Sequence, residues 1–135
     1  ILALRCTLEY LALRQSIASA NTAWEERLVL THHRMKKSTT LGTALFEEAH
    51  KMFHLALLAN SGSPMLERFC AQLYDLNIHY RYLAASSSTY QSRDILSEHE
   101  DILEAAVQHD ADRASASLLN HYRRTGEFLS RGMDA

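Results

Sequence analysis

The sequence predicts an all-α protein, an antiparallel bundle of about six helices, on three observations. Apolar residues recur at three- and four-residue intervals along nearly the whole chain, the period of a helix with one buried face. Four glycines and one proline among 135 residues leave little turn chemistry for a sheet. The segments between periodic stretches are short, as in bundles whose neighbouring helices run antiparallel.

The first helix spans residues 1 to about 18, with Leu4, Leu8, Leu11, Ala12, Gln15 and Ala18 on its inner face and Arg5 at the edge. The second runs from Thr22 to about Lys37. Asn21 or Thr22 caps it, Glu25 and Glu26 suit its first turn, and Lys36 and Lys37 its last. Its inner face is Trp24, Leu28, Thr31 and Met35. The third, from about Leu41 to Asn60, carries Phe46, His50, Phe53, His54 and Leu57 within an arc of roughly 100°. Gly62 ends it with a left-handed cap, and Ser63-Pro64 opens the fourth as N-cap and first helical residue. That helix reaches about Leu83 and buries Leu66, Phe69, Cys70, Leu73, Asn77 and Tyr80. Residues 84–91 are small and polar and read as a loop. A fifth helix, about Ser92 to Gln108, turns Ile95, His99, Ile102, Leu103 and Ala106 inward. His109-Asp110 is a turn, and a sixth helix from Ala111 to about Ser130 buries Ala114, Leu118, His121, Tyr122, Thr125 and Leu129.

One domain of this length can bury a substantial core. The net charge of −2 offers no basic stripe with which the chain itself would grip a nucleic-acid backbone. No apolar run approaches a membrane span, and no signal peptide opens the chain. Cys6 and Cys70 stand far apart and read as two small buried thiols in a reducing cytoplasm. The chain begins with Ile inside a helical pattern, which reads as a fragment of something longer.

Eight histidines are many for this length, and position sorts them. His33 and His79 fall off their helices' apolar stripes, His32 at an edge and His109 in a turn; these read as solvated or capping side chains. His50, His54, His99 and His121 all lie within apolar stripes. An unpaired buried polar group loses roughly 1–3 kcal/mol, so four such rings need partners. Hydrogen-bonded core histidines are one solution. A divalent metal is the other, satisfying all four at once. The spacing excludes some metal chemistries. Lys51 stands where H-E-x-x-H needs its glutamate base. Glu47 and His50 form a single Glu-x-x-His, where a di-iron bundle needs two. The two cysteines are too far apart for a zinc finger.

With those residues laid out, the chain resembles the effector-binding C-terminal domain (FCD) of the FadR subgroup of GntR-type bacterial transcription regulators. The pieces are Arg5 with Glu9; Phe53-His54, Leu57 and Gly62-Ser63-Pro64; Glu98-His99 with Ile102-Leu103-Glu104-Ala105 and Asp110-Ala111; and Asn120-His121. The resemblance covers nearly the whole chain in order. It implies that residues 1–135 form an effector-binding and dimerisation domain, with a winged helix-turn-helix domain outside this chain, and that His54, His99 and His121 hold a divalent metal. The family's fourth ligand is an Asp, and His50 occupies that position here. Exchanging a hard anionic oxygen for a neutral nitrogen favours zinc, nickel or copper over manganese or magnesium. Zinc is the first expectation and nickel the second. The alternative, given less weight, is a His50 that hydrogen-bonds the effector without touching metal.

The resemblance further implies a small organic acid effector beside the metal. Arg5, Asn77 and Arg81 are the candidates to bind it, since a guanidinium fork suits a carboxylate. Arg5 is also placed to pair with Glu9 one turn on, Arg81 to cover a neighbouring tyrosine, and Tyr74 is a weaker candidate that suits the core. The expected function is a non-catalytic, cytoplasmic sensor that homodimerises and controls operator DNA only through the missing domain, without a membrane. A metal-dependent enzyme on a helical bundle is the alternative. It would need Glu47 or Glu98 as its base. A dimerisation module with a decayed ligand site is a third.

Overall fold

In a computed structural model of the chain, residues 2–85 and 95–134 are described, with side chains for all of these except 79–85 and 126–134. Six α-helices account for nearly all of them: α1 Leu2–Ala18, α2 Thr22–Lys37, α3 Thr43–Leu58, α4 Pro64–Ala85, α5 Ile95–Val107 and α6 Ala111–Asp134. No strand occurs among the described residues, so the all-α bundle read from the sequence is the fold observed. α1 packs on α4 and α6, α2 on α3 and α5, and α5 on α6. Their shared interior holds Leu13, Leu28, Met35, Phe53, Leu57, Ile102 and Leu118, all without solvent contact.

α2 matches its sequence reading residue for residue. The Asn21 side chain accepts from the Trp24 amide at 2.9 Å, and Trp24, Leu28, Thr31 and Met35 are buried. Trp24 Nε1 then donates to the Ala56 carbonyl at 2.9 Å, tying α2 to the end of α3. α3 begins two residues later than its apolar pattern suggests. A 3-10 turn over Ser38–Thr40 and Gly42 at φ 101° interrupt the backbone first. At its other end the Asn60 amide donates to the Ser16 and Ser19 carbonyls at 3.1 and 2.7 Å, locking α3 against the end of α1.

The turn into α4 needs a glycine. Gly62 sits at φ +80°, and a Cβ there would meet nothing within 4 Å. The cost of a side chain is therefore backbone strain alone. Gly62→Ala is expected to lower unfolding stability by about 1 kcal/mol, read as a shifted urea midpoint with unchanged slope. At the opposite end His109 occupies the left-handed position after α5, with φ 58°. The Asp110 amide reaches back to the Ala105 carbonyl at 3.0 Å. The same Asp110 accepts from the Arg113 amide at 3.1 Å and so opens α6.

Two faces differ from the sequence reading. α1 buries Arg5, Glu9, Ala12, Leu13, Ser16 and Ile17, while Leu4 and Leu11 are 53% and 46% exposed. The helix is turned about its axis because its inner stripe contains an ion pair and a serine, which counting apolar residues scores as surface. On α4, Phe69 is likewise half-exposed, whereas Cys70, Leu73 and Asn77 are buried as read. Cys6 and Cys70 are both free, and burial pushes the Cys70 thiol up to about 12. Residues 86–91 of the supposed loop, the Ser92 helix start, and the side chains of His79, Tyr80, Arg81 and Leu129 lie outside those described; residues 84 and 85 continue α4. Among the described residues no helix is long and apolar enough to cross a membrane.

Candidate metal centre

His50 and His54 lie one turn apart on α3, and α5 and α6 bring His99 and His121 to meet them. All four rings are buried. The Nε2 atoms of His50, His54 and His99 form a nearly equilateral triangle with edges of 3.0, 3.0 and 2.9 Å. His121 closes the group, its ring centroid 4.5 Å from that of His99, and one nitrogen from each of the four lies within 4.8 Å of the others.

A second ring of side chains holds three of the outward-facing nitrogens. His54 Nδ1 lies 2.9 Å from the Tyr122 hydroxyl, which donates to Glu9 Oε1 at 2.5 Å. Arg5 Nε donates to the other Glu9 oxygen at 2.6 Å, and its guanidinium lies over the Tyr122 ring at 3.9 Å. His50 Nδ1 meets the Tyr74 hydroxyl at 3.0 Å. His121 Nδ1 meets Glu98 Oε1 at 2.8 Å, while Arg124 takes Glu98 Oε2 at 3.2 Å. His99 Nδ1 is the exception. It faces the Ile95 carbonyl one turn earlier without reaching good hydrogen-bond geometry.

These surroundings keep the cluster neutral. Burial, with the Arg5 charge adding to it, lowers His50 to about 3. Burial and then the neighbouring rings push His54 and His99 well below the usual histidine range. Burial raises the Tyr122 phenol well above its ordinary value against the pull of Arg5. For Arg5 itself burial opposes the cation, but Tyr122 and Glu9 outweigh it and the pKa ends raised.

Neutral rings still have to place one proton each, and the partners decide where. Tyr122 spends its only proton on Glu9, so its oxygen accepts from His54 Nδ1–H. His54 Nε2 is therefore a bare lone pair aimed into the triangle. A carboxylate likewise accepts from His121 Nδ1, leaving His121 Nε2 bare. Lone pairs converging on one buried point repel unless a cation sits between them. The spacing suits one. With bonds of about 2.0–2.1 Å, nitrogens 2.9–3.0 Å apart subtend about 90°, the angle between neighbours in six-coordination, whereas a tetrahedral ion would spread them to about 3.4 Å. The His50, His54 and His99 Nε2 atoms thus fit a divalent ion by donor type and by distance, and His121 stands beside them as a fourth nitrogen donor.

Of the other histidines read as solvated or capping, the His79 side chain lies outside those described, and His32 departs from that reading by packing into the bundle. His33 is exposed, His109 contacts Glu25 from its turn, and His32 packs edge-on against Phe53, 5.4 Å between centroids, with Nε2 unpartnered. Of the effector candidates, Asn77 is buried on α4 and Arg5 is drawn inside with its Nε committed to Glu9. The sequence reading missed Glu9, Tyr122 and Glu98 as partners of the cluster and ranked Tyr74 low. Their signal was present: each is polar and sits on, or one residue from, a stripe that carries a histidine or Arg5.

The family model for the FCD domain matches residues 1–124. The chain belongs to that family. The FCD domain is 32% identical over 126 residues to the uncharacterized HTH-type transcriptional regulator BphR of Paraburkholderia xenovorans, covering 88% of this chain and 51% of that protein. It is 25% identical over 125 residues to the HTH-type transcriptional repressor GlaR of Escherichia coli, covering 87% of this chain and 57% of the repressor. It superposes on E. coli McbR/YncC with a TM-score of 0.80 at 17% identity, covering 96% of this chain and 62% of that one. The chain therefore spans about half the length of the curated relatives it matches, both named as transcriptional regulators rather than enzymes.

Proposed function

We propose that this FCD domain is the ligand-sensing and dimerisation part of a cytoplasmic GntR/FadR-type transcription regulator, which meets operator DNA through a separate domain. It holds a divalent metal on His50, His54, His99 and His121 and binds a small carboxylate beside it. The observation that carries this reading is the triangle of Nε2 atoms at 2.9–3.0 Å, with the His54 lone pair aimed into it. An all-nitrogen set suits zinc or nickel. When bound, the metal supplies a fixed positive charge to which an anion can bind.

The chain's own residues do the rest. Asn77, which is buried on α4, and Arg81, four residues on in the sequence, are the residues proposed to bind the acid. Arg5 contributes charge rather than contact. A ligand preferring one arrangement of these helices would shift the population that the DNA-binding part reads. The enzyme reading is weaker, because both oxygens of Glu98 are already engaged by His121 and Arg124.

Dimerisation has its own support. One edge of α1 is taken by α6, where Arg14 pairs with Asp112 at 2.8 Å, and the far edge of α4 by α3, where Lys51 pairs with Asp75 at 2.8 Å. α1 and α4 pack on each other, and outside their buried faces stand Leu4 and Leu11, seven residues apart, and Met65, Phe69 and Leu76, at four and seven. All five are about half exposed. Such spacing is that of helices packed against other helices. The patch exposes on the order of 500 Å² per copy, near the upper end for a monomer. Two copies would bury on the order of 1,000 Å² from these residues alone, about where specific interfaces begin. A second copy related by a two-fold axis is the occupant proposed.

Nickel or zinc added to metal-free protein is expected to raise the melting temperature by several degrees, and a chelator to reverse it. Metal analysis of protein purified without chelator should find about one ion per chain. No ion and no thermal shift with nickel, zinc or manganese would sink the metal-sensor reading.

A further inference from the structure

We infer that Glu9 and Tyr122 are positioning residues for the metal ligand His54, with Arg5 as their buried counter-cation. This rests on the metal reading and extends it from α3, α5 and α6 to α1. Four side chains, each at most 3% exposed, form one chain of hydrogen bonds: Arg5 to Glu9 at 2.6 Å, Tyr122 to Glu9 at 2.5 Å, and His54 Nδ1 to Tyr122 at 2.9 Å. Its direction is set from the arginine end. A guanidinium only donates and an ionised carboxylate only accepts, so the phenol proton must go to Glu9 and the imidazole proton must stay on Nδ1.

That direction matters because His54 has an alternative. Its Nε2 is 3.0 Å from His50 Nε2 and 2.9 Å from His99 Nε2. A proton on His54 Nε2 would be shared with one of those nitrogens, closing the triangle on itself and occupying the point where a metal binds. An imidazole without a fixed partner favours the proton on Nε2. The Tyr122 oxygen makes the opposite tautomer the stable one, and Glu9 strengthens that oxygen as an acceptor. A buried carboxylate alone would be costly, and Arg5 offsets its charge at contact distance. The Arg-x-x-x-Glu spacing on α1 therefore acts on the metal centre at one remove.

The test has two readouts. Histidine nitrogen NMR on the metal-free chain at pH 8 should show His54 protonated on Nδ1. In Tyr122→Phe it should move to the Nε2–H tautomer. Calorimetric titration with nickel should then show a 10–100-fold weaker affinity for Tyr122→Phe and a smaller loss for Glu9→Gln, which keeps the shape of the acceptor. Leu118→Ala serves as the control: it should lower the melting temperature while leaving tautomer and affinity alone. Should Tyr122→Phe not fold, Glu9→Gln is read by the same two measurements. A wild type that binds nickel while these variants keep both tautomer and affinity overturns the positioning role and leaves the metal site standing. A wild type that binds neither nickel nor zinc overturns both.

Discussion

Lowering the pH below about 6.5 is expected to unfold the metal-free domain in a transition that takes up about three protons. Burial first, and then Arg5 or the neighbouring rings, hold His50 near 3 and His54 and His99 well below the ordinary value. In the unfolded chain all three titrate near 6.5. The folded pKa values are the lower ones, so the unfolded state binds more protons between the two. Stability is therefore fully present above about pH 6.5 and falls as the pH drops toward the folded values. Each ring contributes about 1.4 kcal/mol per pH unit, roughly 4 kcal/mol per unit for the three. Set against a total of about 5–15 kcal/mol for a domain, that places the midpoint at about pH 5 for a stability at the low end of the range and at about pH 4 for one in the middle. Circular dichroism melts from pH 8 to 4.5 give the slope directly. Nickel should move the transition to lower pH, because a ligated nitrogen cannot take a proton until the metal leaves. Flat stability between pH 7 and 5, or a slope of one proton, would mean that the cluster does not stay neutral.

The same four histidines were the part of the site most open to reading from sequence, and the reason is physical. A polar residue inside an apolar helical stripe contradicts its surroundings, so His50, His54, His99 and His121 announce themselves by position. α2 was legible throughout because its buried face is apolar apart from Thr31, which satisfies itself on the Arg27 carbonyl at 2.8 Å. α1 was not. Its inner stripe mixes Arg5, Glu9 and Ser16 with Ala12, Leu13 and Ile17, while the leucines at 4 and 11 lie outside. Periodicity cannot tell a buried ion pair from a solvated one, since the difference lies in partners 113 residues away, where Tyr122 meets Glu9. The proton on His54 was equally out of reach. It depends on an ordered chain of donors from three helices.

Leu11→Glu combined with Phe69→Glu should convert the chain from dimer to monomer, with a dissociation constant at least a thousandfold higher. Both side chains are about half exposed in the single chain, so neither substitution opens a core cavity, and the monomer's own stability should change by less than about 0.5 kcal/mol per site. The effect falls on association instead. Two-fold symmetry sets each glutamate against the same patch of the partner, so four carboxylates enter one apolar surface with no cation built to receive them. A single rim charge costs little; four near the centre cost several kcal/mol, which sets the expected thousandfold. Sedimentation or light scattering at tens of micromolar decides it, with nickel affinity as the control, because Leu11 and Phe69 lie on the outer faces of α1 and α4 while the histidines come from α3, α5 and α6. A wild type that is already monomeric at that concentration sinks the α1–α4 interface. A double variant that dimerises unchanged would move the interface to another exposed apolar set, such as Leu41 and Leu45 beside the 3-10 turn. Retained nickel binding in a monomeric variant would show that the metal centre is complete within one chain, as the four buried rings from a single copy require.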